Sequence, residues 1–218
     1  MMLLFVCLLY LPLSVLGDDR DAHLYRVNIY MPPEKGRDET AEIRQIKDTV
    51  NDLTDIKVLF SFKELGNPRI LLVLDVEKPG SWSQLTGFLS RKGYEFSAVS
   101  LYQCGDFAKG LGVSIPDDMW SSSFEDEDLL MDRKTLLVGD LSSLEYNEML
   151  KWTFEKDVAL RKSGQKQTCF KTLAVFPVEL MYFGPVSQHV MDEMEEYLRG
   201  PRRFQNEVTR IQNLDHYT

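Results

Sequence analysis

The chain has 218 residues, with 25 Lys and Arg against 34 Asp and Glu and a formal net charge of −9. That balance repels phosphate backbones and anionic lipid surfaces, so nucleic-acid binding is disfavoured. The length suits one large domain or two small ones.

Residues 1–17 hold no charged side chain and break into Asp18, Asp19, Arg20 and Asp21. The apolar run is short for the roughly 20 residues of a bilayer span, and reads as a secretory signal peptide. The mature protein is then expected to be soluble and secreted, with no membrane span left after the signal is removed. Cys7 leaves with the signal. Cys104 and Cys169 remain in an oxidising compartment, either as one bridge or as two buried thiols.

From 18 to 104 two periodicities alternate. Tyr25, Val27, Ile29 and Met31 share one face of a first strand, which Pro32 and Pro33 end. Asp38 caps a helix with Ile43, Ile46, Val50 and Leu53 at spacings of three and four. Ile56, Val58, Phe60 and Phe62 then alternate as a second strand, Gly66, Asn67 and Pro68 turn the chain, and Ile70 to Val76 reads as a central strand. Ser81 and Gln84 spell a capping box for a helix that stops at Gly93, and Tyr94 to Gln103 is the fourth strand. The order βαββαβ is that of a ferredoxin-like α+β unit.

Residues 105–133 show no sustained period and are expected to form a solvated acidic and Gly/Ser connector. Their acidic run lacks the ligand spacing of a calcium loop. A second unit is expected over 134–200: a strand at Thr135, a helix capped by Ser142 and Glu145, strands at Cys169 to Phe176 and Val178 to Phe183, and a helix from Pro185 with Val190, Met194 and Leu198 inward. The expected last strand is missing. Phe204, Val208, Ile211 and Leu214 recur at four, three and three, which predicts an amphipathic helix over 201–218. The second half is thus read as an incomplete βαββα unit plus a C-terminal helix.

The stretches LYRVNIYMPP and RILLVLDVEKPGSWSQLTGFL resemble the muconolactone isomerase group of the dimeric α/β-barrel superfamily, over residues 24–103. The resemblance implies that two sheets pack face to face, here as an intrachain pseudo-dimeric barrel, with a small ligand in or beside it. No catalytic residue of that group is carried over, because no matching motif stands in the loop 34–37.

If one face of the first sheet packs on its helices, the other presents Arg26, Asn28, Tyr30, Ser61 and Asp75 to an inter-sheet cavity. Arg26 held by Asp75 would orient an anionic or carbonyl ligand, and the expected partner is a small apolar or carbonyl molecule or a protein; the plainer reading is a structural ion pair or a solvated face. His189 and Glu193 share a helix face but lack a third ligand, so no metal is expected. Nucleophile elbow, P-loop, zinc-protease and redox Cys-x-x-Cys motifs are absent, and no cofactor is called for. The first expectation is a secreted ligand-binding or protein-interaction protein without catalysis. The alternative is a small-molecule isomerase or oxygenase-like enzyme of the dimeric-barrel type.

Overall fold

The computed structural model describes residues 23–125, 128–185 and 203–217. The signal peptide expected over 1–17 and the helix expected after Pro185 lie outside the described residues. The elements are β1 (Leu24–Tyr30), α1 (Glu39–Asn51), β2 (Ile56–Glu64), β3 (Arg69–Val76), α2 (Trp82–Arg91), β4 (Glu95–Gln103) and α3 (Cys104–Gly110). After them come β5 (Leu129–Leu136), α4 (Ser143–Lys162), β6 (Thr168–Thr172), β7 (Glu179–Pro185), β8 (Phe204–Asn213) and α5 (Leu214–Tyr217).

The eight strands close one antiparallel barrel in the order β1-β3-β2-β8-β5-β7-β6-β4. Each half of the chain supplies four neighbouring strands. The halves meet at two short seams: Phe62 to Glu64 of β2 against Asn213 to Ile211 of β8, and Leu101 to Gln103 of β4 against Thr172 to Phe170 of β6. Because the seams are short, β2 before Phe62 and β4 before Ser100 have a ladder partner on one side only among the described residues.

Alternation along the strands divides the side chains between lumen and outside. Five phenylalanines, Phe60, Phe62, Phe124, Phe170 and Phe183, meet in the lumen with Leu71, Val73, Met131 and Met181. Their rings sit 5.1 to 6.3 Å apart, within the range of favourable aromatic pairing. Outside the first half, Val27, Ile29, Ile70, Leu72 and Leu74 pack on Ile43, Ile46 and Val50 of α1 and on Leu85 and Leu89 of α2. Outside the second half, Leu136, Leu180 and Tyr182 pack on Leu150, Phe154 and Val158 of α4 and on Ala108 of α3.

Several expectations hold. The Asp38 carboxylate accepts from the Ala41 amide, and Ser142 and Glu145 form a reciprocal capping box. Cys104 and Cys169 are bridged, with Cα atoms 5.4 Å apart.

Others are corrected. Residues 204–213 are the strand β8, which pairs with all of β5 and closes the barrel against β2. The C-terminal helix predicted over 201–218 shrinks to Leu214–Tyr217. The helical spacing of Phe204, Val208 and Ile211 misled because the lumen side of β8 carries Glu207 and Thr209, which erases the period of two. The 105–133 connector is no solvated linker: α3 occupies its start, Met119 is fully buried, Phe124 enters the lumen, and β5 already begins at Leu129. Asp132, Arg133 and Lys134 hid that strand.

Ser81 makes no cap hydrogen bond; its hydroxyl donates to Asp55 Oδ2 at 3.0 Å instead. The expected strand from Cys169 to Phe176 ends at Thr172, and Pro185, expected to open a helix, ends β7.

Candidate active site

The polar residues read from the first unit do not converge. A β-bulge between Val58 and Phe60 shifts the phase of β2 by one residue. Ile56 and Val58 therefore face α1, whereas Phe60 and Phe62 enter the lumen. Ser61, opposite Leu72, is turned outward, away from the space it was expected to line. Asn28 stays on the lumen face and donates to Ser97 Oγ at 3.4 Å, and Tyr30 lies half-buried opposite Arg69 and Glu95.

Arg26 points into the lumen as expected and is 8% exposed. Its partner, however, is not Asp75, which sits opposite Leu24 nearer the strand end. Arg26 Nη1 donates across the barrel to Glu179 Oε2 and to Met181 Sδ, both at 2.8 Å. Arg133 lies 3.9 Å from the other Glu179 oxygen and also pairs with Glu207. β1 and β7 are not neighbours in the barrel, so this network ties one half to the other over the phenylalanine layer. The inter-sheet space is packed by side chains, and its ion pairs read as structural.

A second charged cluster lies on the outer face of the other half and was not anticipated. Asp132 and Lys134 stand two residues apart on β5, hence on one face, beside Tyr182 and Leu180 of β7. Asn206 of β8 is the cross-strand neighbour of Lys134. α4 lies over this face and presents Asp157, 2% exposed, in the same stripe as Leu150, Thr153, Phe154 and Val158.

The Tyr182 hydroxyl donates to Asp157 Oδ2 at 2.9 Å. Lys134 Nζ is 3.6 Å from Asp132 Oδ2 and 4.6 Å from the centre of the Tyr182 ring, a cation–π distance. Desolvation pushes the Asp157 carboxyl up to about 6, although Lys134 and the Tyr182 hydroxyl pull it down. Burial also raises Asp132 against the pull of Lys134.

The cluster carries unmet hydrogen-bonding capacity. Asp132 Oδ1 and Asn206 Oδ1 are buried with no partner among the described residues, whereas the Gln167 side chain bonds to Asp157 and helps to hold its carboxyl down. Native proteins leave few such groups, because each costs about 1–3 kcal/mol of uncompensated desolvation. Two acceptors are thus available to a polar ligand. Among the described residues no three His, Cys, Asp or Glu side chains converge as a metal site.

One signal for this cluster was present in the sequence. Positions 150, 154 and 158 make an apolar helix stripe on whose face Thr153 and Asp157 also fall, and a carboxylate on a buried face needs an explanation.

No protein-family model matches the chain, and no curated protein does. Solved structures do share the fold. Chlorite dismutase from Candidatus Nitrospira defluvii in complex with imidazole superposes with a TM-score of 0.58 at 11% identity, covering 90% of this chain and 94% of that one. The "putative monooxygenase" from Fusobacterium nucleatum gives 0.54 at 10% identity, covering 88% and 93%. That from Lactobacillus acidophilus gives 0.53 at 9%, covering 89% and 95%.

The muconolactone isomerase group is not named among these structures. The expectation of a ligand-binding or protein-interaction protein without catalysis is corrected: the neighbours are named as a chlorite dismutase and "putative monooxygenase" proteins, which favours the oxygenase-like alternative. What the comparisons establish is the architecture, an α+β fold with an eight-stranded antiparallel barrel.

Proposed function

We propose that this protein is an oxygenase-like enzyme acting on a small molecule, formed by two ferredoxin-like units fused in one chain, with Asp157, Tyr182 and Lys134 as its chemical centre. The observation that carries the reading is the buried Asp157 to Tyr182 hydrogen bond beside Lys134. The shared architecture with enzymes supports it. So does the strand order β8-β5-β7-β6 of the second half, which repeats β4-β1-β3-β2 of the first.

A carboxyl near 6 is mostly ionised at neutral pH yet poorly solvated, and so accepts a proton more readily than an exposed aspartate. A substrate hydroxyl or acidic C–H placed where Tyr182 now donates would give its proton to Asp157. Lys134 would stabilise the resulting phenolate or enolate. Such anions are electron-rich and are the forms of small organic molecules that react with dioxygen. Asp132 Oδ1 and Asn206 Oδ1 would position the substrate's polar groups.

Export from the cytosol belongs to the same proposal and is supported by the Cys104 to Cys169 bridge.

The test is oxygen uptake by the purified chain, scanned over small phenols, quinols and 1,3-dicarbonyl compounds from pH 5 to 8. For a substrate, uptake is expected to rise through about pH 6 and to fall by roughly 100-fold in Asp157→Asn, within the usual span of general-base catalysis. Tyr182→Phe should lower it less. Uptake that is equal in the wild type and Asp157→Asn, or absent over the whole panel, overturns the reading.

A further inference from the structure

Cys104 opens α3 and Cys169 stands on β6, so their bridge fixes the start of that helix on the outer face of the second half. One turn further along α3 comes Phe107, and two residues further along β6, on the same face, comes Lys171. The two meet, with Lys171 Nζ 4.8 Å from the centre of the Phe107 ring. The bridge thus sets an amine over an aromatic face.

The surroundings of Lys171 are apolar. Its cross-strand neighbours are Tyr102 on β4 and Leu180 on β7. The Tyr102 ring stands edge-on to Phe107 at 6.4 Å, and Phe107 stands edge-on to Phe154 at 6.1 Å. Leu180 is fully buried, whereas Tyr102 is 40% exposed and forms the rim toward solvent.

Lys171 itself is 8% exposed. A buried ammonium is ordinarily paired with a carboxylate, because an uncompensated charge out of water is costly. Although the chain carries 34 acidic side chains, Lys171 has neither an ion pair nor a hydrogen bond among the described residues. On α3, Asp106 and Lys109 are exposed and face each other at 4.0 Å. Lys134 stands beyond Leu180 in the same row and is engaged with Asp132 and Tyr182. The Phe107 face attracts the ammonium but does not replace a counter-ion.

Burial consequently lowers the Lys171 ammonium below the ordinary lysine value, with no neighbouring charge acting against it. Its nitrogen is nevertheless not among the buried atoms cut off from solvent. A lysine held in an ion pair keeps its proton and is inert. One that is desolvated, unpaired and reachable presents a larger share of neutral amine, which is the nucleophilic form.

We infer that Lys171 is a covalent capture site for a small apolar aldehyde or ketone, held as an imine against Phe107 and Tyr102. The amine nitrogen adds to the carbonyl carbon, a C=N bond forms, and the carbonyl oxygen leaves as water with the two hydrogens of the neutral amine. No electrons are exchanged with another reactant, and water reverses the step. The rings offer a surface to an aryl or alkyl body, whereas a hydroxylated body would set its polar groups against them unpaired. Leu180 separates the site from Asp157, Tyr182 and Lys134, and the inference does not rest on the oxygenase reading.

The experiment incubates the full chain with benzaldehyde and sodium cyanoborohydride, which reduces an imine to a stable secondary amine. Peptide mass spectrometry follows the adduct at each lysine from pH 7 to 10. Lys171 is expected to be benzylated several-fold faster at pH 7 than the exposed Lys57 and Lys109, with the lead narrowing as pH rises and the exposed amines lose their protons as well. With glyceraldehyde in place of benzaldehyde the lead should shrink. Lys171→Arg, which keeps the charge without the nucleophile, should remove the fast phase from the intact mass.

Equal rates at Lys171 and the two exposed lysines overturn the inference. So does a lead that is the same for glyceraldehyde, since the rings would then play no part in recognition. Should Lys171→Arg fail to fold, the comparison of lysines within the wild type still decides. None of these readouts involves oxygen uptake, so a failure here leaves the reading of Asp157 untouched and the converse also holds.

Discussion

Replacing both Cys104 and Cys169 with alanine is expected to lower the free energy of unfolding by about 4 kcal/mol. The bridge closes a loop with a sequence separation of 65, and the chain-entropy relation for a loop of that size gives this value. In a chain of this length the loss corresponds to roughly 8–16 °C in melting temperature. The topology adds a reason for the effect to be felt throughout the barrel. β4 and β6 share three residue pairs, and the disulfide stands immediately beyond them, so its removal loosens one of the two places where the halves are joined. Both sulfurs are fully buried, which makes alanine a better replacement than serine with its unsatisfied hydroxyl. Melting of the wild type with and without reductant, beside the double variant, checks the value. If the reduced wild type and the variant melt within a degree or two of the oxidised protein, the bridge is not what holds that seam.

Asp157→Asn is expected to stabilise the protein at pH 8 by about 1–3 kcal/mol and to leave it nearly unchanged at pH 4. The folded-state carboxyl is raised from 3.8 to about 6, so the fold favours the protonated acid. Between those two values the native state binds more protons than the unfolded chain, and stability falls as pH rises. The cost is fully present above about pH 6 and absent below about pH 4, and a difference of about two pKa units amounts to about 3 kcal/mol. Asparagine keeps an acceptor for the Tyr182 hydroxyl and removes the buried charge. Lys134 retains Asp132 at 3.6 Å, which limits the loss on its side. Urea unfolding of both proteins at pH 4 and pH 8 reads the difference directly. A variant less stable than the wild type at pH 8, or a gap that is the same at both pH values, would show that the buried ionised carboxylate is not under strain.

Together with the oxygen-uptake test this substitution separates two accounts of the cluster. A site under functional constraint gains stability and loses turnover when its strained group is neutralised. A structural ion network loses stability when one member goes, because the remaining charge is left uncompensated.

Legibility in the sequence followed how many faces of an element are apolar. α1 and α2 have one buried and one solvated face, β1 has an apolar face on the helices and a polar one toward the lumen, and their periods revealed them. β5 and β8 were hidden for the same physical reason that makes them interesting: Asp132 and Lys134 on the outer face of β5, Arg133 on its lumen face, and Glu207 on β8 put charges where the alternation needed apolar residues. Of the polar residues read from the first unit, Ser61 was lost to one inserted residue. The bulge at Leu59 reverses every side chain after it, and a strand with Val58, Leu59 and Phe60 in succession is compatible with either phase.

Local patterning by itself determined the α+β class, the four strands and two helices of the first half, the caps at Asp38 and Ser142, and the pairing of the two cysteines beyond the first seventeen residues as one of two possibilities, since each depends on neighbours in the chain or on simple counting. Tertiary structure alone decided that the halves close on each other, that Arg26 meets Glu179 and not Asp75, that Ser61 leaves the lumen, and that Asp157, Tyr182 and Lys134 come together. These facts depend on registers between strands far apart in sequence. A register is set by the packing of the whole barrel, in which a shift of one residue exchanges inside for outside, and no local period carries that information.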